Sequence, residues 1–224
     1  MDNKASQAYW FYTGLPDKVI DAIEEDLKLN LDSQLVSSVV GHTNMDTPER
    51  NEDSVVIVDK RKRNALNAWI PTEHWIAGFL WHYVMMANRQ NFLYDIEHVD
   101  RNSLQYSVYN EGHFYGWHND GGLPLCYSPI SNGNQGTYAE LAQDFVAINC
   151  ERVRKLSFSL LLSDPSDYEG GNFQLIDENE KTYIAPRQKG SLILFDSRAR
   201  HRVTPVRKGT RKSIVGWTVG PRWK

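Results

Sequence analysis

His118 and Asp120 stand two residues apart in this chain, and His201 follows far downstream. Two imidazoles and one carboxylate can occupy one face of an octahedral metal and leave three positions open, a donor set suited to Fe(II) and oxygen chemistry. Ten residues past His201 comes Arg211, a fork donor that matches a carboxylate. Singly, each is an ordinary polar residue of a strand, and His-x-Asp alone carries little information. The joint pattern is far more specific than its parts. His118, Asp120 and His201 are therefore the candidate metal ligands, and with Arg211 the candidate catalytic set.

Three open positions admit O2 and a bidentate co-substrate, for which a 2-oxo acid is the obvious chemistry. Its far carboxylate needs a buried cation, the role given to Arg211. Ser213, two residues on and so on the same strand face, adds a hydroxyl donor. Tyr109 offers a phenol to the same carboxylate, with Tyr115 and Tyr106 behind it. The competing reading for a strand tyrosine is core packing with a tethered hydroxyl. His98 and His113 are left out, the latter because it is off the strand parity of His118. His74 and His82 are eight apart on a helical stretch with no third ligand near, and read as surface or packing residues.

These side chains must be positioned by strands. Leu104–Tyr109, Val153–Leu162, Asn172–Ile176, Thr182–Ala185, Ser191–Phe195, His201–Val206 and Lys212–Val219 read as strands punctuated by Gly, Pro, Asn and Asp. Upstream, Tyr9–Tyr12 reads as an opening strand. A helix then begins at Leu15-Pro16, with Val19, Ile20, Ile23 and Leu27 as its apolar stripe and a solvated acidic face of Asp17, Asp21, Glu24, Glu25 and Asp26. Residues 41–53 read as a loop, Ser54–Val58 as a buried strand, Lys60-Arg61-Lys62-Arg63 as a solvated turn, and Ala68–Ile70 as a short strand. Thr72 is placed as the N-cap of an amphipathic helix over 73–90. The segment 121–151 is long and irregular, with a short helix expected at Tyr138–Ile148 and a lid, mobile until substrate binds, at Leu125–Gly136.

The chain of 224 residues, with 41% apolar and 24% charged residues, is expected to form one domain. Residues 1–100 would supply helices and supporting strands, and residues 101–224 the β core. No apolar run approaches the ~20 residues of a bilayer span, and no signal-peptide stretch is evident at the N-terminus. Cys126 and Cys150 form no disulfide framework and read as reduced thiols in a cytoplasmic setting. Residues 187–224 hold eleven Lys or Arg against one acid, Asp196, while the whole chain carries −3. Alternating strands are expected to divide these charges among several faces rather than build one basic surface.

The run Tyr109-Asn-Glu-Gly-His-Phe-Tyr-Gly-Trp-His118-Asn-Asp120 resembles the first iron motif of prolyl 4-hydroxylase-like Fe(II)/2-oxoglutarate dioxygenases, and most of all the bacterial PKHD-type hydroxylases. Leu160-Leu-Leu-Ser-Asp-Pro-Ser-Asp-Tyr168-Glu-Gly170-Gly171 is similar to their Tyr-x-Gly-Gly turn. His201-Arg-Val-Thr-Pro-Val-Arg-Lys-Gly-Thr-Arg211 is similar to their distal motif. The resemblance spans roughly residues 100–220. It implies a mainly β (α+β) fold with a double-stranded β-helix (jelly-roll, cupin-like) core. It also implies Fe(II) on His118, Asp120 and His201, 2-oxoglutarate on Arg211, O2 as oxidant and ascorbate as reductant. Collagen-type and algal prolyl 4-hydroxylases usually carry Lys at the Arg211 position, and the 121–151 segment is longer than usual, which leaves the substrate open. The carboxylate at Asp120 favours hydroxylation over halogenation. The leading expectation is a hydroxylase of prolyl residues in a peptide or protein, with no membrane or nucleic-acid partner. The rivals are a hydroxylase of a free amino acid, an AlkB-like nucleic-acid demethylase, and a cupin-like binding module without catalysis. AlkB-type enzymes carry a second Arg six residues after the first, where this chain has Trp217.

Overall fold

The computed structural model describes residues 8–38, 60–100, 104–121, 126–127 and 152–223. The expected loop at 41–53, strand Ser54–Val58 and helix Tyr138–Ile148 lie outside them. So does the expected lid Leu125–Gly136, apart from Cys126–Tyr127.

In chain order the elements are β1 (Tyr9–Tyr12), α1 (Asp17–Asn30), β2 (Val36–Ser37), β3 (Arg63–Asn64), β4 (Leu66–Trp69), α2 (Trp75–Ala87), β5 (His98–Val99) and β6 (Gln105–Tyr109). Then follow β7 (Phe114–His118), β8 (Cys126–Tyr127), β9 (Arg152–Leu161), β10 (Tyr168–Gly170), β11 (Phe173–Ile176) and β12 (Thr182–Ile184). The last are β13 (Leu192–Asp196), β14 (His201–Val203), β15 (Val206–Gly209) and β16 (Arg211–Pro221).

The strands form two main antiparallel sheets, the expected jelly roll. The larger runs β1-β13-β9-β16-β6-β4-β2, with β5 on β16 and β8 on β9. The smaller runs β12-β11-β14-β7-β3, and β10 pairs with β15 separately.

Alternation along the strands of the larger sheet makes two cores. On β9, Leu156, Phe158 and Leu160 join one cluster with Ile20, Ile23 and Leu27 of α1 and Ile76, Leu80 and Val84 of α2. The intervening Ser157, Ser159 and Leu161 turn the other way. There Leu161 packs with Phe173, Leu175, Ile193, Phe195 and Val203 between the sheets. The helices therefore back the larger sheet, while its opposite face, seeded with small polar residues, is left to line the interior.

Several details depart from expectation. The α2 N-cap is His74, whose Nδ1 accepts from the Ile76 amide at 3.4 Å, while Thr72 bonds Glu73 instead. His74 also lies 3.3 Å from Asp26 of α1, so it joins two helices and caps one. Beyond Ala87 the expected helix continues only as a π turn, Asn88–Phe92. The acidic face of α1 is not wholly solvated. Lys189 meets Asp21 and Glu24 at 2.7 and 3.2 Å, and Lys212 lies 3.8 Å from Glu24. Only Lys60–Lys62 form the expected basic turn; Arg63 enters β3 and is buried. The strand expected over His201–Val206 divides in two at Pro205, which has no amide hydrogen for a ladder. Among the described residues, no helix is long and apolar enough to cross a membrane.

Candidate active site

Strands β7 and β14 of the smaller sheet bring the distant histidines together. His118 and His201 are direct register partners, and Tyr115 lies opposite Val203. The register shifts between these pairs, a bulge that inserts a residue on β7. Simple alternation would send residues 115 and 118 to opposite faces. With the bulge both turn inward, and the Tyr115 ring stacks on His118 with centroids 3.5 Å apart. The sequence ranks Tyr115 behind Tyr109 as a site residue; the bulge brings it against the metal ligand.

Asp120 lies beyond the end of β7, not on it. Its amide and that of Gly121 both donate to Ser197 O, at 2.8 and 2.7 Å. A Cβ on Gly121 would sit 3.0 Å from that of Ser197, so glycine permits the approach. The bend turns the Asp120 carboxylate back toward the histidines. Its Oδ2 accepts from Ser157 Oγ at 2.8 Å, and Ser157 in turn meets Ser197 Oγ at 2.9 Å.

Ligand atoms of His118, Asp120 and His201 all lie within 4.8 Å of one another. His118 Nδ1 is 2.8 Å from Gly116 O, and His201 Nδ1 is 3.0 Å from Ala199 O. A carbonyl only accepts, so each Nδ1 must carry the hydrogen. Each Nε2 then keeps its lone pair and points at Asp120, 3.6 Å away for His118 and 3.2 Å for His201. Burial, and then the neighbouring His201, push His118 down to about 3. Burial alone would raise Asp120, but His201 and His118 together hold it far below the usual carboxylate range. A neutral imidazole beside an ionised carboxylate, with both lone pairs converging, fits a divalent cation.

The other end of the same cavity holds Arg211, 3% exposed. It begins β16 and pairs in register with Tyr109 of β6. Its Nη1 donates to Ser213 Oγ at 2.9 Å, and its guanidinium lies 5.5 Å from the Tyr109 ring centroid. Burial draws its pKa down, while the phenols of Tyr168 and Tyr109 favour the charged form. A cavity of about 40 Å³ is lined by His118, Asp120 and His201 at one end and Arg211, Ser213 and Tyr109 at the other. The expected residues are thus brought together. Tyr106 is not. It points from the opposite face of β6 into the helix-backed core, where burial and then the neighbouring Asp32 raise the pKa of its phenol.

Three residues on the cavity wall or beside it had no role assigned from sequence. Arg63 lines the cavity, donates to Asn67 and Gln105 at 3.3 and 3.1 Å, and lies 4.6 Å from the Tyr115 ring centroid. Trp217 also lines it. Ser157, which orients the carboxylate, gave no signal beyond being polar in an apolar strand. That alternation was the one available clue to an inward face.

A family model described as the 2OG-Fe(II) oxygenase superfamily matches residues 104–219. A PKHD-type hydroxylase of Parvibaculum lavamentivorans is 38% identical over 88 residues, 39% of each chain. Another, of Synechococcus elongatus, is 32% identical over 145 residues, 63% of this chain and 55% of its own. The chain spans about half the length of the curated relatives it matches. Among solved structures, a Pseudomonas putida prolyl-4-hydroxylase superposes with a TM-score of 0.61 at 16% identity, covering 99% of this chain and 97% of that one. A Trichoplax adhaerens prolyl hydroxylase bound to a hypoxia inducible factor peptide gives 0.65 at 16%, covering 95% and 83%. A carbocyclase from nogalamycin biosynthesis gives 0.60 at 12%, covering 98% and 84%. At these identities the likeness is one of fold.

Proposed function

We propose that this chain, which belongs to the 2OG-Fe(II) oxygenase superfamily, hydroxylates prolyl residues within a peptide or protein. Residues 1–224 act as one catalytic unit. His118, Asp120 and His201 hold Fe(II), and Arg211 with Ser213 and Tyr109 holds the distal carboxylate of 2-oxoglutarate, with Tyr115 at the metal end. Bound iron, 2-oxoglutarate and O2 supply the oxidation, in which one oxygen enters a substrate C–H bond and the other enters succinate as CO2 leaves. The protein orients the reactants and keeps water out. Tyr115 holds the His118 ring by stacking, Ser157 fixes the Asp120 carboxylate, and the buried guanidinium of Arg211 sets the depth of the co-substrate. Ascorbate as reductant, and a reducing, cytoplasmic setting, belong to the same reading.

The observation that carries it is the convergence of three metal-competent side chains and a buried guanidinium on one cavity. Aromatic walls at Tyr115 and Trp217 suit a pyrrolidine ring, and the two prolyl hydroxylase neighbours, one of them bound to a peptide, support a peptide substrate. A free amino acid is the second reading, favoured by Arg63, whose guanidinium on the cavity wall could take a small substrate's carboxylate. Several cations of the basic C-terminal third are engaged internally: Lys189 and Lys212 with α1, Arg198 with Asp196, and Arg211 in the cavity. These four of the eleven cations are thereby drawn away from a shared basic surface, which weakens the support for a nucleic-acid substrate.

Succinate release is the test. Proline-containing peptides should stimulate it above the substrate-free background more than free proline or methylated DNA. Greater stimulation by free amino acids would favour the second reading, and by methylated DNA would overturn both.

A further inference from the structure

A second, smaller cavity of about 20 Å³ lies behind Arg211. Arg211, Ser159 and Phe173 line both cavities, so Arg211 forms part of the wall between them. The rear cavity is also lined by Arg187 and Ser191, from the turn between β12 and β13. Arg187 is held firmly. Its Nη2 donates to Tyr168 O at 2.9 Å, and its guanidinium lies 4.5 Å from the Tyr168 ring centroid. Yet its Nε, and the hydroxyl of the buried Ser191, find no hydrogen-bond partner among the described residues.

Buried polar groups are nearly always paired, and a charged donor left unpaired is costly. Here two unpaired groups line one small space together with a second guanidinium. A water molecule would fit by size. It can accept from only two of these donors, however, and its own hydrogens would find just the Ser191 oxygen as a partner among them. An oxyanion can accept from every one of these groups.

We infer that Arg187, Ser191 and Arg211 form an anion pocket that takes one carboxylate-sized oxyanion. Two sources have this chemistry: the distal carboxylate of the co-substrate, reaching past Arg211, or a free inorganic anion such as phosphate. The first source rests on the functional reading above; the second does not.

The test uses the full chain with Mn(II) in place of iron and reads binding by calorimetry and thermal shift. Probes are 2-oxoglutarate, 2-oxobutyrate, which lacks the distal carboxylate, and inorganic phosphate. Arg187→Met keeps the stem over Tyr168 and removes the charge; Arg187→Lys and Ser191→Ala complete the set. An equal ligand-free melting temperature and Mn(II) affinity establish that the variants fold. If the co-substrate fills the pocket, Arg187→Met weakens 2-oxoglutarate about tenfold or more, Arg187→Lys recovers part of it, and 2-oxobutyrate is unaffected. If a free anion fills it, phosphate protection disappears in Arg187→Met while 2-oxoglutarate affinity stays. Unchanged affinity for 2-oxoglutarate and for phosphate in Arg187→Met and Ser191→Ala would overturn the pocket. A wild type that fails to bind 2-oxoglutarate at all would instead overturn the functional reading, and the phosphate arm would still decide the pocket.

Discussion

His118 and His201 face each other across β7 and β14 as direct register partners, with ring centroids 4.1 Å apart. Each ring is tied by Nδ1 to the carbonyl two residues before it, Gly116 and Ala199. The two imidazoles are thus oriented by their own backbones, and the strand pairing sets their separation. A one-residue slip of either strand would turn its histidine to the outer face.

Removal of any one of these ligands should abolish tight Fe(II) binding. The supporting residue gives the finer test. Ser157→Ala leaves the Asp120 carboxylate without its 2.8 Å donor and should weaken metal affinity about 10–100-fold. Titration with Fe(II) under anaerobic conditions measures it; an unchanged affinity would mean that Ser197 and the backbone position Asp120 alone.

Arg211→Ala should raise the KM for 2-oxoglutarate and leave metal affinity nearly intact. A buried charged pair reduced to one partner costs about 2–5 kcal/mol, roughly thirtyfold to several thousandfold. Arg211→Lys should be milder. An unchanged KM in Arg211→Ala would move the carboxylate to another cation, with Arg63 and Arg187, which line the two cavities, next to be tested.

Gly171 has φ +56°, and a Cβ there would lie 3.1 Å from Arg211 Cδ and 3.2 Å from Tyr168 Cδ2. Gly171→Ala should therefore act on the co-substrate through Arg211. We expect a stability loss of about 1–3 kcal/mol from the left-handed backbone and a rise in the 2-oxoglutarate KM. Loss of stability with an unchanged KM would show that Arg211 gives way without consequence.

In the metal-free protein His118 stays neutral down to about 3, whereas an ordinary histidine protonates near 6.5. The unfolded chain therefore binds more protons between those values, and stability falls as pH drops through that window. The loss should reach about 2–3 kcal/mol at pH 4.5. Asp196 adds to it further down. Burial alone would raise its pKa, but Arg198 and the Tyr94 hydroxyl hold it below 3.8, so its contribution is lost only below that value. Denaturant unfolding at pH 7 and 4.5 checks this; His118→Gln should show the smaller acid loss. An equal loss in both proteins would assign the effect elsewhere.

The metal set and Arg211 were legible because their chemistry lies in residue type and chain order, which folding preserves. The strands that carry them were legible from alternation, as on β9, where Leu156, Phe158 and Leu160 face the helices. What stayed hidden depends on contacts distant in sequence. The bulge on β7 that turns Tyr115 inward appears only when the strand pairs with β14. Arg63 looked like the end of a basic turn because nothing local marks Asn67 and Gln105 as its partners. The Thr72 cap failed because His74 was drawn into the contact with α1.

The most direct measurement is the mass of a proline-containing peptide after incubation with the protein, Fe(II), 2-oxoglutarate and O2, beside a parallel reaction with His201→Ala. We predict a gain of one oxygen on proline that requires both the iron and the 2-oxoglutarate and is absent in the variant. A gain that persists in His201→Ala would contradict the assigned site. No gain on any proline peptide, with turnover of another substrate, would contradict prolyl hydroxylation.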